Sequence, residues 1–369
     1  MPSQPKHRVF VHVGQAKTGT TYLQDLLKQH RPALRSKGLL YPRTNTPDHF
    51  LPALDARGDH VFLGEERVRA AGAWARLVTT ALRFDGDVVL GHEILATARA
   101  DAAQVALRMF DEREVHVLVT VRDPARQLLA VWQEGLKHRR HHDFADYLRL
   151  TGFGDDQEVP PVRSPDDPRP FSSHHLVGVL DAWCADLPPE QVHVITVPQS
   201  GTDPSLLWNR FLGVCGEDAS LYPAPAGHSV RRNVSLGVND SELLRRVNEA
   251  LGAELGGREY GAVVKEIWAQ KVLGAASPDQ RMALPEHQLR LTEQMAASWI
   301  DTIRDRGYAV AGSLDELRPT PTQGRQPGSW TEVEVLAAAI RSNAGLLRQI
   351  ATLRAEAAAI DAAADDVFD

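Results

Sequence analysis

The sequence predicts a three-layer α/β domain built around a parallel sheet, on three observations. Four short runs are rich in β-branched residues: RVFVHV (Arg8–Val13), DVVLG (Asp87–Gly91), EVHVLVTV (Glu114–Val121) and QVHVITV (Gln191–Val197). They are apolar nearly throughout, which is the pattern of strands covered on both faces. Stretches with helical leucine spacing lie between them, and alternating strands and helices give parallel strands joined by crossovers.

Each element has a local cause. The first run ends at Gly14, and from Thr20 the spacing of Leu23, Leu26 and Leu27 is helical. Pro32 is read as opening a further short segment, because proline lacks the N–H that a helix interior needs. Pro124 stops the third strand, and a helix is expected from Ala125 to about Arg139. Residues 151–172, dense in Pro, Gly and Asp, read as a long substrate-side excursion. Leu176–Trp183 reads as an amphipathic helix leading into the fourth strand.

Residues 1–312 are expected to form the α/β domain, 313–329 a linker and 330–369 a C-terminal helical segment. The linker assignment rests on RPTPTQGRQPGS, Arg318–Ser329. In the last segment Val333, Leu336 and Ile340, then Leu346, Ile350, Leu353 and Ile360, follow heptad-like steps with a shift near Asn343. Either this helix docks back on the body, or it holds a second copy or another partner.

At 369 residues and a formal net charge of −7, the chain gives no global reason to bind nucleic acid or an acidic membrane. Its two cysteines, Cys184 and Cys215, lack CxxC spacing, so neither a disulfide framework nor a zinc site is expected. No apolar stretch matches a bilayer span or a signal h-region. A cytoplasmic location is the expectation.

The chemistry concentrates in three short motifs. HVGQAKTGTTYLQ (His12–Gln24) joins a strand to a helix through a glycine loop, which aims backbone N–H groups and the positive helix end at an anion. Gly14 and Gly19 are separated by four residues as in a Walker A loop, but Thr20 and Thr21 follow where Lys-[Ser/Thr] belongs, and the lysine is Lys17. Thr18 adds a further hydroxyl. VTVRDP (Val119–Pro124) puts Arg122 beyond the C-terminal end of a buried strand, where open α/β sheets bind ligands. A guanidinium there forks onto a phosphate, or else pairs with Asp123. GHEI (Gly91–Ile94) puts His92 and Glu93 at the same edge, either as a general base or as ion-pair partners. The basic loop HSVRRNVSLG (His228–Gly237) offers Arg231, Arg232 and Asn233 as an anion clamp or as a solvated turn. KHRRHH (Lys137–His142) reads as a basic rim rather than a metal site, because adjacent histidines rarely share one ion. The tryptophans read as packing residues.

The first two motifs resemble the phosphosulfate loop and the 3′-phosphate segment of the PAPS-dependent sulfotransferases, most closely the bacterial and carbohydrate-type branch. The order HHLVGVLDAWCADLPPEQVHVITVPQS, then LLWNRFLGVCG, is similar too, and the likeness covers roughly residues 8–240. It implies a P-loop-like sulfotransferase fold and sulfuryl transfer from PAPS to a hydroxyl or amine, releasing adenosine 3′,5′-bisphosphate with no metal. It implies Lys17 on the oxygen bridging phosphorus and sulfur, and Thr18, Gly19, Thr20 and Thr21 on the 5′-phosphate. It further implies Arg122 on the 3′-phosphate and Glu93, or alternatively His92, as base. One position departs: the family's serine eight residues after the arginine is Ala130 here, which removes one hydrogen bond of about 1 kcal/mol. The loop at Arg231, Arg232 and Asn233 resembles the family's late basic loop and compensates in this reading. A P-loop kinase or NTPase is the rival enzyme class, against which stand the absent Gly-Lys-[Ser/Thr] and Walker B aspartate. A non-catalytic nucleotide-binding scaffold is the third reading.

Overall fold

The computed structural model of the chain describes residues 6–44, 49–58, 69–153, 175–203, 205–224, 235–276 and 282–365. They group into two compact units. One comprises Met1–Gln127, Leu150–Arg231 and Leu289–Pro319; the other comprises Leu128–Arg149, Arg232–Gln288 and Thr320–Asp369.

The first unit is α/β with a central parallel sheet. Its strands are β1 (Arg8–His12), β2 (Leu39–Leu40), β3 (Asp87–Gly91), β4 (Glu114–Val121), β5 (Val192–Thr196) and β6 (Ala309–Ala311). They form one six-stranded sheet in the order β2-β3-β1-β4-β5-β6, with every neighbouring pair parallel. The four apolar runs are the four central strands. The edge strands β2 and β6, of two and three residues, are too short to leave a periodic signal. In chain order the principal helices are α1 (Thr20–Ser36), α2 (Phe50–Ala56), α3 (Ala73–Leu82), α4 (Ala100–Arg108), α5 (Pro124–Lys137), α6 (Phe144–Thr151), α7 (Leu176–Cys184), α8 (Leu206–Val214), α9 (Val238–Leu251), α10 (Glu286–Asp305) and α11 (Glu332–Asp365).

Strand alternation sorts the core into two faces. Phe10, Val89, Leu118 and Ile195 pack with Leu23, Leu26 and Leu34 of α1 and with Leu207, Phe211 and Leu212 of α8. On the opposite face α4 packs on α7 and α7 on β4. There the Trp183 indole donates to Leu95 O at 2.9 Å and Gln104 Nε2 to Ala182 O at 3.0 Å.

Two helix expectations are corrected. Helix α1 runs through Pro32 rather than stopping there. Leu23, Leu26, Leu27 and Leu34 are buried on both sides of the proline, so burial outweighs the one lost backbone bond. Helix α7 is buried at every position except Asp181, so it is not amphipathic.

Residues at the start of the expected linker are structured. Ser313 and Glu316 form a capping box over Leu314–Leu317. Glu316 takes a two-pronged ion pair from Arg210 at 2.7 and 2.9 Å and accepts the Thr196 hydroxyl proton at 2.5 Å.

The second unit is helical among its described residues. Asn248 of α9 donates to Leu136 O at 2.7 Å and Arg140 O at 2.9 Å, satisfying carbonyls at the C-terminal end of α5. A 13-residue π-wound helix, Gly261–Leu273, lies along the first half of α11. There the Trp268 indole donates to Ser342 Oγ at 2.5 Å, and a Cβ on Gly345 would stand 2.5 Å from Val272 Cγ1. Arg246 grips Glu332 through two bonds of 2.8 Å. In the KHRRHH run Lys137 is buried, and so is not part of a wet rim; His138 meets Glu134 and Lys265.

Candidate functional site

The site elements share one edge of the sheet. The chain leaves β1 toward β2 and β3 on one side, then crosses to β4, β5 and β6 on the other. The C-terminal ends of β1 and β4 therefore flank the point where strand order reverses, which is where such sheets open a crevice. The loop Gly14–Gly19 leaves β1, Arg122 leaves β4, and His92 and Glu93 leave β3, the other neighbour of β1.

Sterics require both loop glycines. A Cβ on Gly14 would stand 2.2 Å from Thr20 Cγ2 and 2.7 Å from Thr120 Oγ1. Gly19 has φ +85° and caps α1, and a Cβ there would stand 2.4 Å from Leu207 Cδ2. Lys17 also takes a left-handed conformation, φ 66°, uncommon for a residue with a side chain. Left-handed residues at a turn into a helix are the kind of backbone from which anion-binding nests are built. The helix behind it is α1, whose Thr20 is buried and Thr21 exposed.

A buried polar chain supports the loop from below. The Thr18 hydroxyl donates to Gln15 O at 2.6 Å and lies 2.8 Å from Thr120 Oγ1, which lies 3.1 Å from His12 Nε2. Burial, reinforced by the nearby His92, pushes His12 down to about 3, so its ring is neutral. Thr18 thus spends its hydroxyl on Gln15 and Thr120 within the protein.

Arg122 is the most unusual group of the site. Its Nη1 donates to Lys17 O at 3.2 Å, while its Nε is buried with no hydrogen-bond partner among the described residues. Burial and the neighbouring Arg126 lower its pKa to about 10. Asp123 does not neutralise it by direct pairing. Asp123 Oδ1 accepts the N–H groups of Ala125 and Arg126 at 2.8 and 3.2 Å, capping α5, and burial raises its pKa. Arg126, four residues on and near enough to depress the Arg122 pKa, was not singled out from the sequence. Its Nη1 donates to Gln199 Oε1 at 3.0 Å. Gln127, also unflagged, donates to Ala16 O at 2.9 Å and pins the loop.

At the third element His92 caps the short helix Glu93–Thr97: its Nδ1 accepts the Ile94 N–H at 3.3 Å. That nitrogen is engaged. Glu93 is partly exposed, with Oε2 3.4 Å from the donor Gln24 Nε2 on α1 and 3.5 Å from His92 Nδ1. Gly91 carries φ +150°, and a Cβ there would stand 2.1 Å from His12 O, so β3 and β1 approach closely just before the pair.

Ala130 lies two turns beyond Arg122 in sequence, on α5. Arg231, Arg232 and Asn233 lie outside the described residues, as does the excursion from 154 to 174. Trp183 and Trp208 are fully buried, as expected of packing residues. Among the described residues there is no metal-ligand grouping of His, Cys, Asp and Glu, and no helix long and apolar enough to cross a membrane. Comparison with family models, curated proteins and solved structures finds no match for the chain.

Proposed function

We propose that the chain is a sulfotransferase of P-loop-like fold, moving a sulfuryl group from PAPS to a hydroxyl or amine and releasing adenosine 3′,5′-bisphosphate. The observation that carries the reading is the half-buried Arg122 guanidinium: joined to the β1 loop, with a buried Nε donor that has no partner among the described residues. A buried cationic donor with no partner costs about 1–3 kcal/mol or more, which a bound phosphate relieves. The nest at Lys17–Gly19 supports a second anionic group one loop away.

The acceptor oxygen or nitrogen attacks sulfur in line while the bond from sulfur to the bridging oxygen breaks. Glu93 takes the acceptor proton; its partly exposed carboxylate beside His92 suits this better than His92 itself, whose Nδ1 holds a cap. Lys17 neutralises the departing oxygen, where a fixed ammonium is worth most in the transition state. Backbone N–H groups of Thr18–Thr21 hold the 5′-phosphate, and Arg122, with Arg126 beside it, holds the 3′-phosphate.

Titration calorimetry tests the reading: adenosine 3′,5′-bisphosphate binds without magnesium and at least about tenfold more tightly than ATP or 5′-AMP, the difference of one charge-assisted pair. Lys17→Ala then loses far more turnover than donor affinity. Tighter, magnesium-dependent ATP binding moves the chain to the kinase or NTPase class. Binding with no turnover on any acceptor makes it a nucleotide scaffold.

A further inference from the structure

Three consecutive carbonyls of the loop after β1 each meet a side-chain donor. The Thr18 hydroxyl donates to Gln15 O at 2.6 Å, Gln127 Nε2 to Ala16 O at 2.9 Å, and Arg122 Nη1 to Lys17 O at 3.2 Å. The last two bonds hold the peptide planes on either side of the Lys17 Cα. Each plane is rigid, so its carbonyl direction sets its orientation, and the two orientations together set φ and ψ of the residue between them. Lys17 stands there at φ 66°, a left-handed conformation that a side chain disfavours and that persists only where the surroundings hold it.

The clamp stands on a fixed support. Asp123 Oδ1 accepts the N–H groups of Ala125 and Arg126, and the Gln127 N–H donates to Asp123 O at 3.1 Å, so the first turn of α5 is closed at its start. Gln127 is 2 % exposed in that turn. The short run RDPARQ, Arg122 to Gln127, thus carries both donors, the cap between them and the proline that opens the helix.

We propose that Gln127 is a positioning residue for Lys17: by holding the Ala16 carbonyl it keeps Lys17 left-handed and its side chain aimed at the departing oxygen. The identity of that oxygen rests on the sulfotransferase reading; the backbone conformation does not. Arg122 shares the clamp, but in that reading it also meets the 3′-phosphate, so Gln127 is the half that can be cut without removing the guanidinium. Losing its bond displaces the ammonium, and a misplacement of about 1 Å costs up to about 100-fold in rate. Because the ammonium acts as the bond to sulfur breaks, the loss falls on turnover rather than on donor affinity.

Turnover of PAPS by the full chain, with water as the acceptor, reads this without an identified substrate. Water oxygen bonds to sulfur, the bond from sulfur to the bridging oxygen breaks, one proton passes to Glu93, and adenosine 3′,5′-bisphosphate and hydrogensulfate leave. In Gln127→Met, which keeps the volume without the donor, kcat is expected to fall about 10- to 100-fold while KM for PAPS stays within about threefold. Gln127→Asn draws the amide back by one carbon with less change to packing, and shows the same split. In a Lys17→Ala background either change costs less than about threefold, where damage to the fold would add in full. A crystal structure of Gln127→Met shows Lys17 at negative φ. Unchanged kcat, losses that add to that of Lys17→Ala, or Lys17 still at positive φ each overturn the proposal. If the parent leaves PAPS intact, the sulfotransferase reading falls, and the backbone of Gln127→Met decides the clamp by itself.

Discussion

Arg122 donates from Nη1 to the carbonyl of Lys17 at 3.2 Å, so the guanidinium after β4 is tied to the loop after β1. The contact uses one donor of five and leaves Nε buried and, among the described residues, unpaired. Such a group weakens the protein, and in the proposed function a bound phosphate relieves that cost.

Arg122 therefore separates stability from binding. Arg122→Met removes a half-buried cation that no carboxylate among the described residues pairs, and keeps most of the side-chain volume. Thermal unfolding is expected to show unchanged or increased stability, by about 1 kcal/mol. Affinity for adenosine 3′,5′-bisphosphate falls about 10- to 100-fold, while that for 5′-AMP is little altered. Parallel losses for both nucleotides would instead place Arg122 outside a 3′-phosphate site.

Glu93 and His92 differ in the same measured rate. Glu93→Gln keeps a partner for Gln24 but removes the base, and sulfuryl transfer is expected to drop about 10²- to 10⁴-fold. His92→Asn keeps an acceptor for the Ile94 N–H and stays within about tenfold of the parent. The reverse ranking in a steady-state assay makes His92 the base.

Glycine positions give a graded stability series. Gly14→Ala and Gly91→Ala drive a methyl to 2.2 and 2.1 Å from fixed neighbours and are expected to cost about 2–4 kcal/mol in chemical denaturation. Gly38→Ala keeps a left-handed backbone at φ +95° with nothing within 4 Å of the new carbon, so it costs about 1 kcal/mol. Equal effects at the three sites contradict the close approach of β1 to its neighbours.

Buried histidines make the first unit acid-sensitive. His12 is held near 3 and His193 near 4, both below the ordinary 6.5 through burial, so both are neutral when folded and protonate on unfolding. Stability is full above pH 6.5 and falls as pH drops toward the folded values, with His12 alone giving a slope of about 1.4 kcal/mol per pH unit. Urea midpoints measured from pH 7 to pH 5 follow that decline. His12→Gln, which preserves a hydrogen bond to Thr120, shows a shallower one. An unchanged slope places the sensitivity elsewhere.

Much of the sheet was legible because buried parallel strands read as unbroken apolar runs: Asp87–Gly91 and Glu114–Val121 are found with the expected bounds. Leu39–Leu40 and Ala309–Ala311 were not, since an edge strand of two or three residues has no period. Lys17, Glu93 and Arg122 were legible as loop residues after strands. Arg126 and Gln127 were not, because their part depends on where α5 starts and which face it turns to the β1 loop. Thr18 was read as a ligand hydroxyl, yet it bonds to Thr120, a residue 102 positions away that only strand pairing brings near.

The second unit is assembled from three separated stretches, the last of which is α11, tied in by Ser342 and Glu332. The tail after Ser329 is thus a wall of that body rather than an appendage. Ending the polypeptide there would strip the cover from Val272 and Trp268 and leave their apolar sides wet. Shortened versions of the chain would then be sticky and poorly folded whatever the fate of the proposed nucleotide site. An activity lost on trimming would report on folding before it reported on chemistry.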